Sequence, residues 1–217
     1  MRSGMILTER SVSRGCQVQK DDTSARERIL STASALFAER GYDGVSVADI
    51  AGASTISTGL IYYHFKDKQT LYETVVRGGI HLLEDVAVRT LTSDADPTER
   101  IRAFVIGYMS LLEGQPALMR LLIRSVTDVS GPAPGHVLMR SATTIERVQS
   151  VIEEGIALGE FRQIDAHLAA TALFALVNTL ITARVLETPL GGAADIGIEG
   201  QAAFMTDLFL GGIASCS

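Results

Sequence analysis

The sequence predicts an all-α protein of about nine helices, in which an N-terminal three-helix helix-turn-helix domain is followed by a larger C-terminal helical domain. Three observations carry this. No stretch beyond Asp96-Pro97 alternates apolar and polar residues as a half-buried strand would. Apolar residues recur instead at helical spacing, and Ser or Asp start signals with Gly or Pro stops divide the chain at helix-sized intervals. With 217 residues and 47% hydrophobic content, the chain is long enough to bury a core without staples.

Residues 1 to 22 hold Arg2, Arg10, Arg14 and Lys20 among Ser, Gln and Gly without apolar periodicity, which reads as a flexible basic arm. Ser24 followed by Glu27 is a capping-box pattern. Ile29, Ala33, Leu36 and Phe37 continue at helical spacing to Gly41, so the first helix is expected over 24–40. Ser46 and Asp49 repeat the start signal before Val47, Ile50, Ala51 and Ala53, with room for two turns before Ser54 and Thr55. Ser57 is the next N-cap. Behind it Ile61 and Phe65 form a narrow apolar stripe that leaves out Thr58, Gly59, Tyr62 and Tyr63. Asp67 caps a longer helix with Leu71, Val75, Leu82 and Val86 on its apolar face and Gly78-Gly79 within it. Further helices are expected near 97–113, 116–127, 136–158, 164–187 and 199–211. The domains expected are 23–70 for the helix-turn-helix and 71–217 for the larger unit.

Composition narrows the function classes. Residues 1–70 carry nine Lys or Arg against eight Asp or Glu, net +1, and residues 71–217 carry ten against seventeen, net −7, which together make the chain's −6. The N-terminal third is therefore the side suited to a polyanion. Cys16 and Cys216 lack any disulfide or zinc spacing, which fits a reducing cytoplasm. The first 20 residues lack the apolar run of a signal peptide. Leu168–Ala183 is the most apolar stretch, but at 16 residues interrupted by Thr171, Asn178, Thr179 and Thr182 it reads as a buried or interface helix rather than a membrane span. No membrane partner is expected. His64, His81, His136 and His167 are scattered, no P-loop, GxSxG, HExxH or EF-hand loop is present, and Glu153-Glu154 are adjacent rather than facing. Neither an enzyme, a metal nor a cofactor is indicated.

A two-turn helix, a short turn and a second short helix have helix-turn-helix geometry, in which the second helix enters the DNA major groove. Tyr62 and Tyr63 are adjacent and cannot both face one core, so at least one looks outward. Lys68 at a helix N-terminus is disfavoured by the dipole, which a phosphate partner would explain. The run ADIAGASTISTGLIYYHFKDKQTL resembles the DNA-binding segment of the TetR family of transcription regulators in order and spacing over about residues 24–75. GEFRQID, 159–165, and the all-helical layout are also similar to that family. The resemblance implies that Ser46, Tyr62, His64 and Lys68 meet phosphates, and that Thr58, Gly59, Leu60 and Tyr63 approach base edges or adjoining backbone. Leu60 replaces a common Thr and has a thymine methyl as its apolar partner. Thr58 stands where relatives often carry Lys. Thr55 stands at a turn position usually held by Gly, so a left-handed backbone there would be strained or the turn would differ.

The larger domain has two natural uses, a dimer interface and a ligand pocket. For dimerisation the broad apolar faces are Ala169, Ala172, Leu173, Leu176 and Leu180 with Phe204, Leu208 and Phe209. For a ligand, the candidates are Phe104, Tyr108, Met109, Met119, Leu122, Ile123, Met139 and Asn178, because Met and aromatics line adaptable cavities and Asn178 is polar among apolar neighbours. Arg120 and Arg124, four apart on one helix, would suit an anion, although a solvated face is the commoner explanation, whereas the acidic domain favours a neutral or cationic ligand. The expectation is a cytoplasmic homodimeric regulator, a repressor by resemblance, that binds double-stranded operator DNA at a palindrome and is released by a small apolar effector. The alternative is a helix-turn-helix interaction protein without specific DNA binding.

Overall fold

The computed structural model describes residues 10–127, 132, 136–186 and 196–214, with the side chains of 10–22, Leu112, 126–127 and 136–141 outside the description. The described residues form nine helices and no strand: α1 (Arg10–Arg40), α2 (Val47–Ser54), α3 (Thr58–His64), α4 (Lys68–Leu91), α5 (Pro97–Gly114), α6 (Pro116–Thr127), α7 (His136–Ala157), α8 (Ala166–Val185) and α9 (Ile198–Ile213). They divide into two compact units, Met1–Thr74 and Val75–Ser217, and α4 runs through the division.

In the first unit, α1 buries Ala25, Ile29, Ala33, Leu36 and Phe37, and packs on α2 and α3. It begins at Arg10, not at Ser24. The stretch expected as a flexible arm is thus helical from residue 10 onward, and residues 1–9 lie outside the description. Its sequence holds no proline, so the helix continues without an apolar stripe to announce it. Gly41, at φ +75°, ends α1 in the left-handed conformation that glycine adopts freely. Phe37, Tyr42 and Tyr72 form an aromatic cluster with ring centroids 5.1 to 6.1 Å apart, edge to face at Tyr72.

In the second unit, Asp96 caps α5 by accepting from the Glu99 amide at 2.8 Å, with Pro97 in the first turn where its missing N–H costs nothing. α5 packs most extensively on α9, and α7 on α8. Phe104, Val105, Met109, Leu121, Val148, Ile152, Leu173 and Val177 are fully enclosed, each stabilising by about 1.5 to 3 kcal/mol when buried. After α7, Gly159 at φ +78° reverses the chain and Phe161 turns back onto Gly155, where a Cβ would overlap the ring. The Arg162 amide then donates to Ile213 O at 2.8 Å, which ties the GEFRQID turn to the end of α9.

Several expectations change in this unit. Leu82, expected on the apolar face of α4, is exposed. Leu173 and Phe209, expected at a dimer interface, are buried within the single chain. Arg120 and Arg124 are both exposed, in keeping with the solvated face that is the commoner reading of such a pair. Glu154 pairs with Arg100, whose guanidinium is buried and also donates to Leu91 O, the last carbonyl of α4. By length and composition α8 could cross a membrane, yet it buries Ala166, Ala170, Leu173, Val177, Ile181, Ala183 and Val185 against its own chain, as expected of a core or interface helix.

Candidate nucleic-acid interface

The α2–turn–α3 segment is held mainly by its ends. Ser46 and Asp49 form a reciprocal capping box: the Asp49 amide donates to Ser46 Oγ at 3.1 Å and the Ser46 amide donates to Asp49 Oδ2 at 2.8 Å. The Ser46 hydroxyl also donates to Asp49 Oδ2 at 2.5 Å. These bonds, the hydroxyl first, hold the Asp49 carboxyl below its ordinary range. Ser57 caps α3 by accepting from the Leu60 amide at 3.2 Å. Asp67 caps α4 by accepting from the Thr70 amide and hydroxyl at 2.7 and 2.8 Å, and its carboxyl is lowered for the same reason.

Thr55 links the two short helices at φ 55°, ψ 43°, and among the described residues it is the one non-glycine at positive φ. The helix-turn-helix geometry is therefore kept without glycine, and a β-branched residue bears the steric cost of the left-handed turn. The turn is secured on both sides. Ser54 donates to Ile50 O at 2.6 Å, and the Ile56 amide donates to Ala51 O at 3.0 Å while its side chain is buried.

Behind this frame α3 presents two faces. Ile61 and Phe65 are buried, as their spacing predicts, and Arg26 lies over the Phe65 ring at 5.5 Å. Tyr62 and Tyr63 are 53% and 74% exposed, so both look outward. Thr58 and Gly59 are exposed, Leu60 is half-buried, and half-buried His64 sits edge-on to Tyr63 at 5.2 Å. An open groove brings Ser46, Thr58, Tyr62 and Lys68 together with Asp43 and Asp49 along the α1–α2 loop and the start of α2. Gly59, Leu60, Tyr63 and His64 lie outside its lining, on the remainder of α3.

Lys68 has a different setting from the one its position alone implies. Its Nζ donates to Tyr42 O at 2.9 Å and Val45 O at 3.0 Å, and stands 4.1 Å from the centre of the Tyr42 ring. These partners account for a cation at the start of α4, and an ammonium has three donors, so one hydrogen is left for a phosphate. The Ser46 hydroxyl is similarly committed to Asp49. Sequence reasoning missed Asp43 and Asp49 as groove residues: the S-x-x-D pattern was legible as a cap, but a cap also delivers its carboxylate to the surface beside the helix start.

Among the ligand candidates, Phe104, Tyr108, Met109, Met119 and Leu122 are buried, Ile123 and Asn178 are half-buried, and the Met139 side chain lies outside the described residues. They come from α5, α6 and α8, which pack on one another. Of the dimer candidates, Ala172, Leu176, Phe204 and Leu208 are exposed, while Ala169 and Leu180 flank them half-buried. Leu168, 66% exposed on the same outer face of α8, belongs with them and was missed because the whole helix is apolar.

Comparison with known proteins agrees with this geometry. The sequence pattern of bacterial regulatory proteins of the tetR family matches residues 29–75, and that of the tetracyclin repressor-like C-terminal domain matches residues 94–182. The HTH-type transcriptional repressor KstR2 of Mycolicibacterium smegmatis is 27% identical over 140 residues, 64% of this chain and 68% of that one. The TetR family regulator PfmR from Thermus thermophilus superimposes with a TM-score of 0.71 at 25% identity, covering 84% of this chain and 97% of that one. A transcriptional regulator from Saccharomonospora viridis, solved in complex with choline, has a TM-score of 0.73 at 26% identity, covering 89% and 100%. Capped short helices, an outward-facing second helix and both matched domains make this chain a DNA-binding transcriptional regulator of the TetR family.

Proposed function

We propose that the chain is a cytoplasmic repressor that binds a palindromic operator as a homodimer and leaves it when a small, largely apolar effector occupies the larger unit. One observation carries the DNA part of this reading. α3 buries a single side chain, Ile61, and is otherwise held by caps, so Thr58, Gly59 and Tyr63 stay free for the major groove. Ser46, Tyr62, His64 and Lys68 serve the phosphates on either side, with Leu60 beside a thymine methyl. Dimerisation rests on Leu168, Ala172 and Leu176 of α8 with Phe204 and Leu208 of α9, an apolar face that one chain alone leaves in water. That KstR2 is named a repressor and that the Saccharomonospora viridis regulator was solved with choline support the repressor and small-molecule parts.

The signal from effector to DNA travels along α4. Gly78 has open space around it, whereas a Cβ on Gly79 would stand 2.9 Å from Leu118 Cδ1 and 3.1 Å from Leu122 Cδ1. Gly79 therefore serves close packing on α6, and only Gly78 is free to act as a bending point.

Selection of bound duplexes from a random pool by the full chain tests the reading, with the stoichiometry of the complex read by sedimentation. The expected outcome is enrichment of a two-fold symmetric site occupied by an even number of chains. Binding without sequence enrichment would instead favour an interaction protein whose helix-turn-helix no longer reads bases.

A further inference from the structure

Resting on the reading that α3 enters the major groove, we propose that Arg26 and Lys66 form a further anchor for a DNA backbone phosphate, at the C-terminal end of α3 and outside the groove that holds Ser46 and Lys68. α3 has seven residues, which makes it about 10 Å long, and the major groove is about 12 Å wide. A helix that short reaches from one bordering strand to the other, so each of its ends meets a phosphate backbone. The two ends differ in charge. At the N-terminal end, the groove that joins Thr58 to Ser46 and Lys68 also holds the carboxylates of Asp43 and Asp49. The Lys68 ammonium there spends two of its three hydrogens on Tyr42 O and Val45 O. One committed cation beside two anions is a poor source of phosphate affinity.

The C-terminal end is built differently. Phe65 leaves α3 in extended conformation, φ −136° and ψ 122°, with its amide donating to Ile61 O at 2.8 Å and its ring buried. Successive side chains on extended backbone point to opposite sides, so an inward Phe65 sends Lys66 outward, where it is exposed. Arg26 of α1 comes to the same place: it is exposed, and its guanidinium carbon lies 5.5 Å from the centre of the Phe65 ring. Two exposed cations thus bracket Phe65, immediately after outward Tyr63 and half-buried His64 on the chain. Among the described residues neither side chain makes a hydrogen bond or ion pair, so both keep their donors for a ligand. The acidic neighbours do not cancel them. Asp67 spends its carboxylate on the Thr70 amide and hydroxyl, and Glu27 projects about 100° round α1 from Arg26. A guanidinium fork and an ammonium together suit the oxygens of one phosphate. The purely structural use of the same pair is to complement the negative end of the α3 dipole and the Phe65 ring.

Binding of the full chain to a random-sequence duplex and to a selected site, titrated from about 50 to about 200 mM salt, tests the anchor. Arg26→Gln and Lys66→Gln should each lower the magnitude of the salt slope by about 0.9, and the double variant by about 1.8. The loss should be equal on the two duplexes, because a phosphate contact carries no sequence information. Arg26→Lys keeps the charge and should keep the parent slope. Arg28→Gln removes another exposed cation of α1, about 200° round the helix from Arg26, and should also leave the slope at the parent value. A structural pair would lower the melting temperature with no change of slope, and that result, or an equal loss of slope in Arg28→Gln, would overturn the proposal. If the double variant keeps the slope while Tyr63→Ala loses discrimination between selected and random duplex, the anchor is wrong and the regulator reading stands. A parent chain that binds no duplex in a salt-dependent way would overturn both.

Discussion

α3 and α8 are both helices whose outer faces stay free of their own chain, but they reach that state by different means. α3 has seven residues and buries one, whereas α8 has 20 and buries seven. Seven residues are too few for a helix to persist in water, so α3 depends on what brackets it: the Ser57 cap, the Thr55 turn before it and Phe65 after it. α8 depends on its buried stripe, and its exposed Leu168, Leu176 and neighbouring apolar residues are surplus to the single-chain fold. The contrast teaches where each function is vulnerable. On the proposed reading, DNA binding is sensitive to end geometry and one buried anchor, while dimerisation is sensitive to face chemistry.

The largest effect should come from charging the surplus face. In the proposed dimer, Phe204→Asp would remove a large apolar side chain from both copies of the interface, an expected loss of about 3 to 6 kcal/mol per dimer, which is more than a hundredfold in self-association. Sedimentation should show monomers with unchanged helical circular dichroism. A dimer of undiminished affinity would take α9 out of the interface. Ile61→Ala comes next and tests the other side of the contrast, with an expected loss of about 2 to 5 kcal/mol in urea melts of the first unit. Tyr63→Ala, on the outward face of the same helix, should stay within about 0.5 kcal/mol of the parent while losing discrimination between operator and random duplex. If the two variants melt alike, the face assignment of α3 is wrong.

Smaller effects test the brackets. Lys68→Ala should cost about 1 to 3 kcal/mol, because two charge-assisted bonds to Tyr42 O and Val45 O disappear along with its place over the ring. It should also reduce the salt dependence of DNA binding by about one unit if the third hydrogen meets a phosphate. Loss of stability with an unaltered salt slope would make Lys68 purely a tie within the domain. Thr55→Gly should act in the opposite direction. Relief of the left-handed strain, about 1 to 2 kcal/mol, outweighs the extra unfolded-state entropy of glycine, about 0.5 to 1 kcal/mol, so the variant should melt higher. A lower melting point would mean that the Thr55 side chain makes compensating contacts in solution.

The helices were legible in the sequence wherever polar punctuation met an apolar stripe, and lost where one of the two was missing. S-x-x-D at 46–49 and Ser57 predicted the starts of α2 and α3 within a residue, because a cap is a local interaction of three or four positions. The start of α1 was missed since Ser24 and Glu27 imitate a cap inside a continuous helix. The outward aromatic pair on α3 was legible because adjacent helical residues diverge by about 100°. Which apolar residues of α8 and α9 face their own chain was not, since Leu173 and Leu176 differ only in tertiary partner. The partners of Lys68 were equally hidden: Tyr42 O and Val45 O are backbone atoms more than twenty residues away, and no side-chain pattern marks them.

The smallest expected effect again separates capped helices from packed ones, through acid. Asp49 and Asp67 hold their carboxyls below the ordinary range by accepting from Ser46 and from Thr70, respectively. A depressed folded-state value means that the ionised cap stabilises fully above the unfolded value, near about 3.9, and is lost as pH falls through the lower folded value. Urea midpoints of the parent should therefore be insensitive to these two groups from neutrality to about pH 5 and drop below about pH 4. Replacing both by asparagine keeps an oxygen acceptor at each cap but removes the titration. The double variant should begin less stable at pH 7 and lose less between pH 5 and pH 3 than the parent does. An identical acid slope in the two proteins would show that the caps of α2 and α4 act through shape alone, and that α3 owes its position to Ile61 and Phe65 more than to its bracketing carboxylates.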